Sequence, residues 1–536
     1  MFSSKERARL RPSMANWHQN DQLPFLARAR FSALPHFRAS HSHDNEEKLS
    51  LFVAVLYVID MFGAFPFIML PGLLVQLGFF GVPLVISVLV LQIYTSFLLS
   101  QCWIMAEELD PSIVHKSRYP YAAIANLAYG RHASFLVTIL LDLSTFAGGI
   151  PNIIMAAENL EMLGNSISES KSSISFCYWT ILVGMFLAPL TWLGSPKRMR
   201  GLAIFSVCVI VFIVSSLWIC LFSATAWGSP FQGMSFGLFI LLWISVALIL
   251  VLFGFLALPL SSKLLKTYCM LVFQFDIHPM LLTLQIDMQQ KQLAGWAAFI
   301  GIAVTCSLAM VGSVIAAYKF GAMIGENVLR VLPTSPTLYI TSVLMSLQLC
   351  FSVTANSSAM FLQLENYFKI SENFSIKRMA IRTSVVLFQV VISEFVPSFD
   401  ALMDIVGGTI TGPLVFIMPT LFYRRLVRME YAHQRTVTEA SYGSIALDLN
   451  YNPIEDLSPQ LLLDENLKTQ SILRVCWQLS CLHVRSFTMR PIFVSDDSFF
   501  GALVTFFATY LNIFELSTLF HNNSPCFGNF TAVNKS

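Results

Sequence analysis

The chain has 536 residues, of which 55% are hydrophobic and only 12% are charged, and its net charge is +2. Soluble proteins carry about twice that fraction of charged residues, so the composition excludes an ordinary soluble enzyme. The small net charge gives no indication of a nucleic acid partner. The ten cysteines show no CxxC pair and no metal-ligand spacing. We therefore expect no disulfide framework, no metal site and no cofactor.

Apolar segments of about 20 residues recur along the chain, and each is long enough to cross a bilayer as a helix. The first begins near Leu49, behind a polar segment, and continues past the length of a secretory signal peptide. The sequence therefore predicts an all-α polytopic membrane protein, in contact with the lipid bilayer. The eleven candidate spans are residues 50–75, 80–103, 133–157, 176–193, 201–223, 236–258, 294–317, 338–362, 380–398, 401–421 and 498–520.

The placement of lysine and arginine predicts the orientation of the spans, because positively charged loops face the cytosol. Basic clusters precede the first and ninth spans and follow the fourth and tenth. All four lie on the cytosolic side only if residues 236–290 make one net crossing. The last segment, 521–536, then lies in the lumen or outside the cell. Its three N-x-S/T glycosylation sequons are at Asn522, Asn529 and Asn534.

A polar string, FQFDIHP from Phe273 to Pro279, interrupts an otherwise apolar part of the chain. Asp276 and His278 are costly in a bilayer unless they have partners or water, and Pro279 leaves a backbone carbonyl unpaired. The first span has its own helix-breaking residues from Gly63 onwards. Helices broken at matching positions in two halves of a membrane protein indicate a binding site near the bilayer midplane.

Four segments, in order along the chain, resemble one family. FQFDIHPMLLTLQIDM, which ends at Met288, resembles the sixth-helix motif of the amino acid/auxin permease family in its animal branch. Ile59 to Gly81 resembles the first helix of that family, and Arg118 to Gly130 resembles the segment before the third. Phe395 to Leu426 resembles the junction of the ninth and tenth helices. The resemblance covers roughly residues 49–426.

The resemblance implies a LeuT-type fold, in which two inverted repeats of five helices are followed by one extra helix. It also implies a secondary active transporter of amino acids, with neutral ones favoured, coupled to a proton or sodium gradient. The alternative is an amino acid sensor with the same fold and little flux. A membrane enzyme is not indicated, because the sequence offers no nucleophile–base pair and no metal constellation.

The implied domain organisation has five parts. Residues 1–48 form a basic, disordered cytosolic tail, and 49–426 form the transporter core. In the core, residues 255–272 separate Gly254 from Phe273 and resemble an insertion that could disconnect the polar string from the sixth helix. A cytosolic loop, 427–497, then precedes the last helix at 498–520 and the tail at 521–536.

The loop at 427–497 contains two short motifs, YGSI at Tyr442 and YNPI at Tyr451. Both resemble tyrosine-based sorting signals that adaptor complexes bind. Such signals would favour endosomes, lysosomes or vesicles, and the plasma membrane is the alternative location.

A zwitterionic amino acid fits the two breaks, because free N–H groups attract its carboxylate and free carbonyls attract its ammonium group. The expected contacts are Phe62, Gly63, Ala64 and Phe65 in the first span, and Phe275, Asp276, Ile277 and His278 in the sixth.

The candidates for coupling to an ion are Asp60, Asp142, Asp276, His278, Ser352 and Thr354. Asp60 lies near the midplane and could carry a proton, contact the substrate amine or only fix the helix by a hydrogen bond. His278 titrates near neutral pH, although a structural role for it and for Asp276 stays open. Ser352 and Thr354 could contact sodium or join two helices by hydrogen bonds.

Overall fold

The computed structural model describes residues 48–78, 81–113, 119–167, 175–192, 200–224, 262–325, 327–370, 375–395 and 399–448. Apart from one isolated backbone pair, every regular element in these residues is helical, which confirms the predicted all-α class. Several predicted features lie outside the described residues. They are the tail 1–47, the apolar segment 236–258, the span 498–520, Tyr451 and the three sequons.

The helices follow one another with short connections. They are α1 (Leu51–Phe62), α2 (Phe65–Leu77), α3 (Gly81–Leu109), α4 (Pro120–Tyr129), α5 (Arg131–Ile167), α6 (Phe176–Thr191), α7 (Arg200–Ser223), α8 (Ser262–Gln274), α9 (His278–Asp287), α10 (Ala294–Phe320), α11 (Pro336–Asn356), α12 (Ser358–Tyr367), α13 (Ile376–Phe395), α14 (Phe399–Ile405) and α15 (Met418–Asp448).

Seven helical stretches of the described chain are long and apolar enough to cross a membrane, and the bent pair α1–α2 makes an eighth. Helix α6 is apolar but shorter. The chain is thus an integral, multi-pass membrane protein. The count of eleven stays a prediction.

The first span is broken where the sequence predicts. Ser50 begins α1 by accepting a hydrogen bond from the N–H of Val53. The helix ends at Gly63, which has a φ of 61°. Helix α2 then begins with Pro66 in its first turn, where the missing N–H costs nothing. The two halves are bent by 55° at this break.

The second broken helix consists of α8 and α9, separated by residues 275–277. Pro279 lies in the first turn of α9. The predicted insertion at 255–272 is wrong in its consequence, because residues 262–272 form most of α8 and lead directly into the polar string. Helix α8 also packs closely on the tenth span. A Cβ atom at Gly407 would collide with the backbone carbonyl of Cys269.

The tenth span is longer and less regular than the sequence predicts. Helix α14 leads into π-helical turns at Val406–Thr411 and Pro413–Ile417, and α15 then continues to Asp448. Residues 427–448 are therefore helical, where a loop was expected, and this helix includes Tyr442. Such π-turns often lie near functional sites, since they redirect side chains within a helix.

A buried ion cluster joins α12 to α13. The Oε1 atom of Glu365 accepts hydrogen bonds from Nε of Arg378 at 2.8 Å and from Nε of Arg382 at 2.7 Å. Arg382 also donates to the carbonyl of Thr191 and lies 5.0 Å from the ring centre of Phe361. All three charged side chains are at most 4% exposed. The cluster therefore fixes the end of the eighth span against the ninth.

Cys177, at the start of α6, takes part in a disulfide bond, although the cysteine spacing gave no sign of one. The charge pattern places this end of α6 in the lumen or outside the cell. Disulfides persist in such oxidising compartments.

The beginning of the first span is tied to the end of the second broken helix by backbone alone. The N–H of Leu49 donates to the carbonyl of Asp287 at 2.8 Å, and the N–H of Gln289 donates to the carbonyl of Leu49 at 2.9 Å. Next to this pair, Nζ of Lys291 lies 2.7 Å from Oε1 of Glu107. The outer ends of α1 and α9 are thus held together.

Candidate functional site

The breaks of the two helices lie against each other. The rings of Phe62 and Phe275 meet edge to face with their centres 5.8 Å apart, and those of Phe65 and Phe273 meet at 6.0 Å. Edge-to-face contacts of this kind stabilise beyond the area that they bury. The structure therefore brings together the two stretches that the sequence predicts to share a substrate.

A cavity of about 80 Å³ lies beside these aromatic contacts. It has room for roughly five to eight water molecules. Phe62, Phe65, Asp276 and Ile277 line it, whereas Gly63, Ala64, Phe275 and His278 do not. Its polar lining includes Ser144, Thr145, Asn152, Gln274, Asp276 and Asn356.

Helix α11 satisfies the backbone groups that the first break leaves free. Gln348 accepts a hydrogen bond from the N–H of Ala64 at 2.6 Å. Ser352 and Asn356 donate to the carbonyls of Asp60 at 2.8 Å and Met61 at 3.1 Å. The three donors and acceptors recur every four residues, so they share one face of the helix. We call Gln348, Ser352 and Asn356 the α11 stripe.

The α11 stripe approaches the break so closely that it leaves no space for a side chain at Gly63. A Cβ atom there would lie 2.7 Å from Oε1 of Gln348 and even closer to Oγ of Ser352. Gly63 is thus required both by its positive φ and by this contact.

Asp276 and His278 hold the second break together. Oδ1 of Asp276 accepts a hydrogen bond from the N–H of His278 at 2.9 Å, which places a carboxylate at the positive N-terminus of α9. The His278 ring is fully buried, and its Nε2 lies 2.9 Å from Oγ1 of Thr95 on α3. His278 therefore anchors α9 to α3, while Asp276 also faces the cavity.

Asp60 faces a second, smaller cavity of about 20 Å³ between α1, α7, α9 and the start of α12. Three oxygen atoms at this cavity are buried without a hydrogen-bond partner among the described residues. They are Oδ1 of Asp60, Oγ1 of Thr283 and Oγ of Ser358. Asp287 also lines the cavity. The space suits one or two water-sized occupants that accept contacts from oxygen.

The other candidates for ion coupling lie elsewhere. Asp142 accepts a hydrogen bond from the Tyr119 hydroxyl at 2.7 Å and lines neither cavity. Thr354 donates to the carbonyl of Cys350 in its own helix, and Ser352 belongs to the α11 stripe. For Ser352, the geometry is that of a bond between helices.

Five residues of these two sites were not predicted: Gln274, Thr283, Gln348, Asn356 and Ser358. The α11 stripe has a sequence signal, because polar residues spaced by four in an apolar span share one face. Gln274 directly adjoins the predicted string. Thr283 and Ser358 have no such signal, since single hydroxyls are common in membrane helices.

Replacing Gln348 with leucine should leave the Ala64 N–H without a partner and weaken the break. We expect a loss of about 1–3 kcal/mol of stability, because a buried donor loses its acceptor. Thermal unfolding in detergent measures this loss. Gln389→Leu is the matched control, because Gln389 is equally buried but bonds to the Phe146 carbonyl, away from the break. Equal losses in both variants would contradict a special role for Gln348.

Two broken helices that meet at a polar cavity inside a multi-span helical protein define a membrane transporter. A model of the family described as "Transmembrane amino acid transporter protein" matches residues 47–445. The chain belongs to this family. The family comprises transporters and not enzymes, as the sequence predicts.

Individual relatives are more distant. The chain is 28% identical to the amino acid transporter AVT1D of Arabidopsis thaliana over 173 residues, which is 32% of this chain and 28% of that protein. Two crystal structures of a manganese transporter from Eremococcus coleocola, a mutant and an inhibitor-type complex with an aromatic bis-isothiourea compound, have TM-scores of 0.43 and 12% identity. They cover 84% and 92% of this chain, and 98% and 92% of their own. These likenesses say nothing about what this chain carries.

Proposed function

We propose that the protein is a secondary active transporter of small neutral amino acids, driven by a proton or sodium gradient. The observation that carries this proposal is the cavity between the two breaks, lined by Phe62, Phe65, Asp276 and Ile277. The proposal includes the LeuT-type arrangement of two inverted five-helix repeats, with the breaks in the first helix of each. It also includes an eleventh span at 498–520.

The charges around the cavity favour a defined orientation of the substrate. The N-terminus of α9 already holds the carboxylate of Asp276, so a second carboxylate there would be repelled. The start of α2 has no acidic residue in its first turn. The substrate carboxylate therefore binds at the start of α2. Its ammonium group binds between Asp276 and the free carbonyls at the end of α8.

The same charges favour a neutral side chain. Among the described residues that line the cavity, Asp276 is the one acidic residue, and none is lysine or arginine. An acidic side chain would be buried there without a compensating charge, which costs several kcal/mol. A long basic side chain would not fit in about 80 Å³.

The coupling ion binds at Asp60 in the smaller cavity. A carboxylate without a neighbouring cation is costly at this depth, and either a bound proton or a sodium ion removes that cost. The hydroxyls of Thr283 and Ser358 supply further oxygen ligands, which suit a hard cation. Because Asp60 immediately precedes the break, occupation of this cavity can affect the substrate site two residues away.

Asp60→Asn should abolish the dependence of uptake on the ion gradient, because asparagine carries neither a proton nor a negative charge for sodium. Uptake of labelled amino acids into proteoliposomes, with the pH and sodium gradients imposed separately, identifies the ion. Asp142→Asn is the control, since Asp142 lies outside both cavities. Retained coupling in Asp60→Asn would exclude Asp60 as the ion site.

The same proteoliposomes distinguish a transporter from an amino acid sensor. Labelled substrate that accumulates inside the vesicles supports transport. Binding without accumulation would support a sensor and overturn the proposed function. Sorting by adaptor complexes at Tyr442 and Tyr451, and residence in endolysosomal membranes in preference to the plasma membrane, remain part of the proposal. Substitution of both tyrosines by alanine with localisation of the tagged protein tests them.

A further inference from the structure

The last residue of α8, Gln274, has an unusual environment. Its side chain is only 5% exposed and lines the cavity between the two breaks. Neither its Oε1 nor its Nε2 has a hydrogen-bond partner among the described residues. A buried amide without partners costs about 1–3 kcal/mol at each end. Such a cost persists in a binding site when the ligand supplies the missing bonds.

Other polar groups at the cavity are already engaged. Asn356 donates to the carbonyl of Met61, and Asn152 donates to the carbonyl of Gly148 in its own helix. Ser144 lies 3.2 Å from Oγ1 of Thr411, within hydrogen-bond distance. Gln274 is therefore the lining residue with both a free donor and a free acceptor in this part of the structure.

We propose that Gln274 recognises the side chain of the substrate, and that this side chain bears a hydroxyl group. A hydroxyl both donates and accepts, so a single group can bond to Oε1 and Nε2 together. The cavity of about 80 Å³ holds roughly five to eight water-sized groups, which matches a substrate of the size of serine. The amino acid backbone occupies the break residues, and the hydroxyl reaches Gln274.

Selectivity follows from the same contacts. Alanine would fit the cavity but would leave both ends of the Gln274 amide buried and unpaired. Sites built to bond a substrate hydroxyl reject the analogue that lacks it far more strongly than apolar pockets reject an added group. Serine is therefore carried in preference to alanine.

This inference rests on the proposed function, and its test is a ratio measured on the purified full-length protein. Initial rates of uptake and equilibrium binding are measured for labelled serine and labelled alanine. We expect the wild-type protein to favour serine by tenfold or more. In Gln274→Leu the preference should fall at least tenfold, while alanine is still bound. Gln389→Leu, which alters a buried glutamine outside the cavity, should keep the wild-type ratio.

The outcomes separate the two proposals. Binding that favours serine in the wild type but not in Gln274→Leu supports the role of Gln274 even if no flux is seen, and the absence of flux then overturns only the transporter. An unchanged ratio in Gln274→Leu, with alanine binding retained, would mean that Gln274 holds water and would overturn the inference. A wild type that does not favour serine over alanine would overturn it as well. Loss of binding for both amino acids in Gln274→Leu is resolved by Gln274→Asn. That variant should recover binding with a serine preference, and its failure to do so would count against the inference.

Discussion

Replacing Gly63 with alanine is expected to abolish uptake and to lower the free energy of unfolding by roughly 2–5 kcal/mol. Two costs contribute. A non-glycine residue at a φ of 61° costs about 1–2 kcal/mol. The new methyl group must also displace Gln348 and Ser352, and such overpacking costs about 1–3 kcal/mol. Because both side chains hold the break, their displacement disturbs the substrate cavity directly.

Gly78→Ala separates these two costs. Gly78 has nearly the same φ, 58°, but a Cβ atom there would meet nothing within 4 Å. This variant should lose only the conformational contribution, about 1–2 kcal/mol, and should retain uptake. Denaturant unfolding in detergent and uptake into proteoliposomes measure both variants. Equal destabilisation by the two substitutions would show that the contact with the α11 stripe is unimportant.

Removal of the carboxylate of Glu365 should have the largest effect on stability outside the site. Glu365→Ala leaves Arg378 and Arg382 buried together without the acceptor that they share. Breaking a buried ion pair from one side costs about 3–5 kcal/mol. We expect a large fall in melting temperature and in the yield of folded protein.

Glu107→Ala is the control for this prediction, because it also removes a carboxylate from an ion pair. The partners Glu107 and Lys291 are about one-third exposed, with side-chain exposures of 33% and 28%. Water screens such a pair, so its loss should cost at most about 1 kcal/mol. A comparable loss in both variants, measured by thermal unfolding, would contradict the importance of burial at Glu365.

The sequence was sufficient to predict the class of the protein and both breaks. Gly63, Pro66 and Pro279 disfavour continuous helix through their own covalent structure, so their effect is local and can be read without knowing the fold. The pairing of Phe62 to Phe65 with Phe275 to His278 followed from the family resemblance, and the structure places these stretches in contact.

The sequence could not predict how the breaks are supported. The bonds of Gln348 to Ala64 and of Asn356 to Met61 join residues nearly 300 positions apart, and their geometry depends on the packing of α11 against α1. The smaller cavity at Asp60 is likewise a product of packing between four helices. Individual hydroxyls such as Ser358 carry no pattern that distinguishes a cavity from a helix contact.

The boundaries of two helices were missed for a different reason. Helix α8 begins with a polar turn that contains Lys263 and Lys266, which hydropathy alone does not assign to a span. Helix α15 continues to Asp448 beyond the last apolar residues, where hydropathy falls but helix propensity does not. Hydropathy detects the part of a helix that lies in lipid, and not the end of the helix.

The backbone pair between Leu49 and the end of α9 makes α1 and α9 act as a single lever. The smaller cavity lies between these two helices, so a path to it from their outer ends must first part the pair. Loss of two hydrogen bonds costs about 1–3 kcal/mol, which keeps the parted form at a minority of roughly 5- to 150-fold. Because the latch contains no side chain, it is insensitive to most substitutions. Only proline at Leu49 or Gln289 would delete one of its donors.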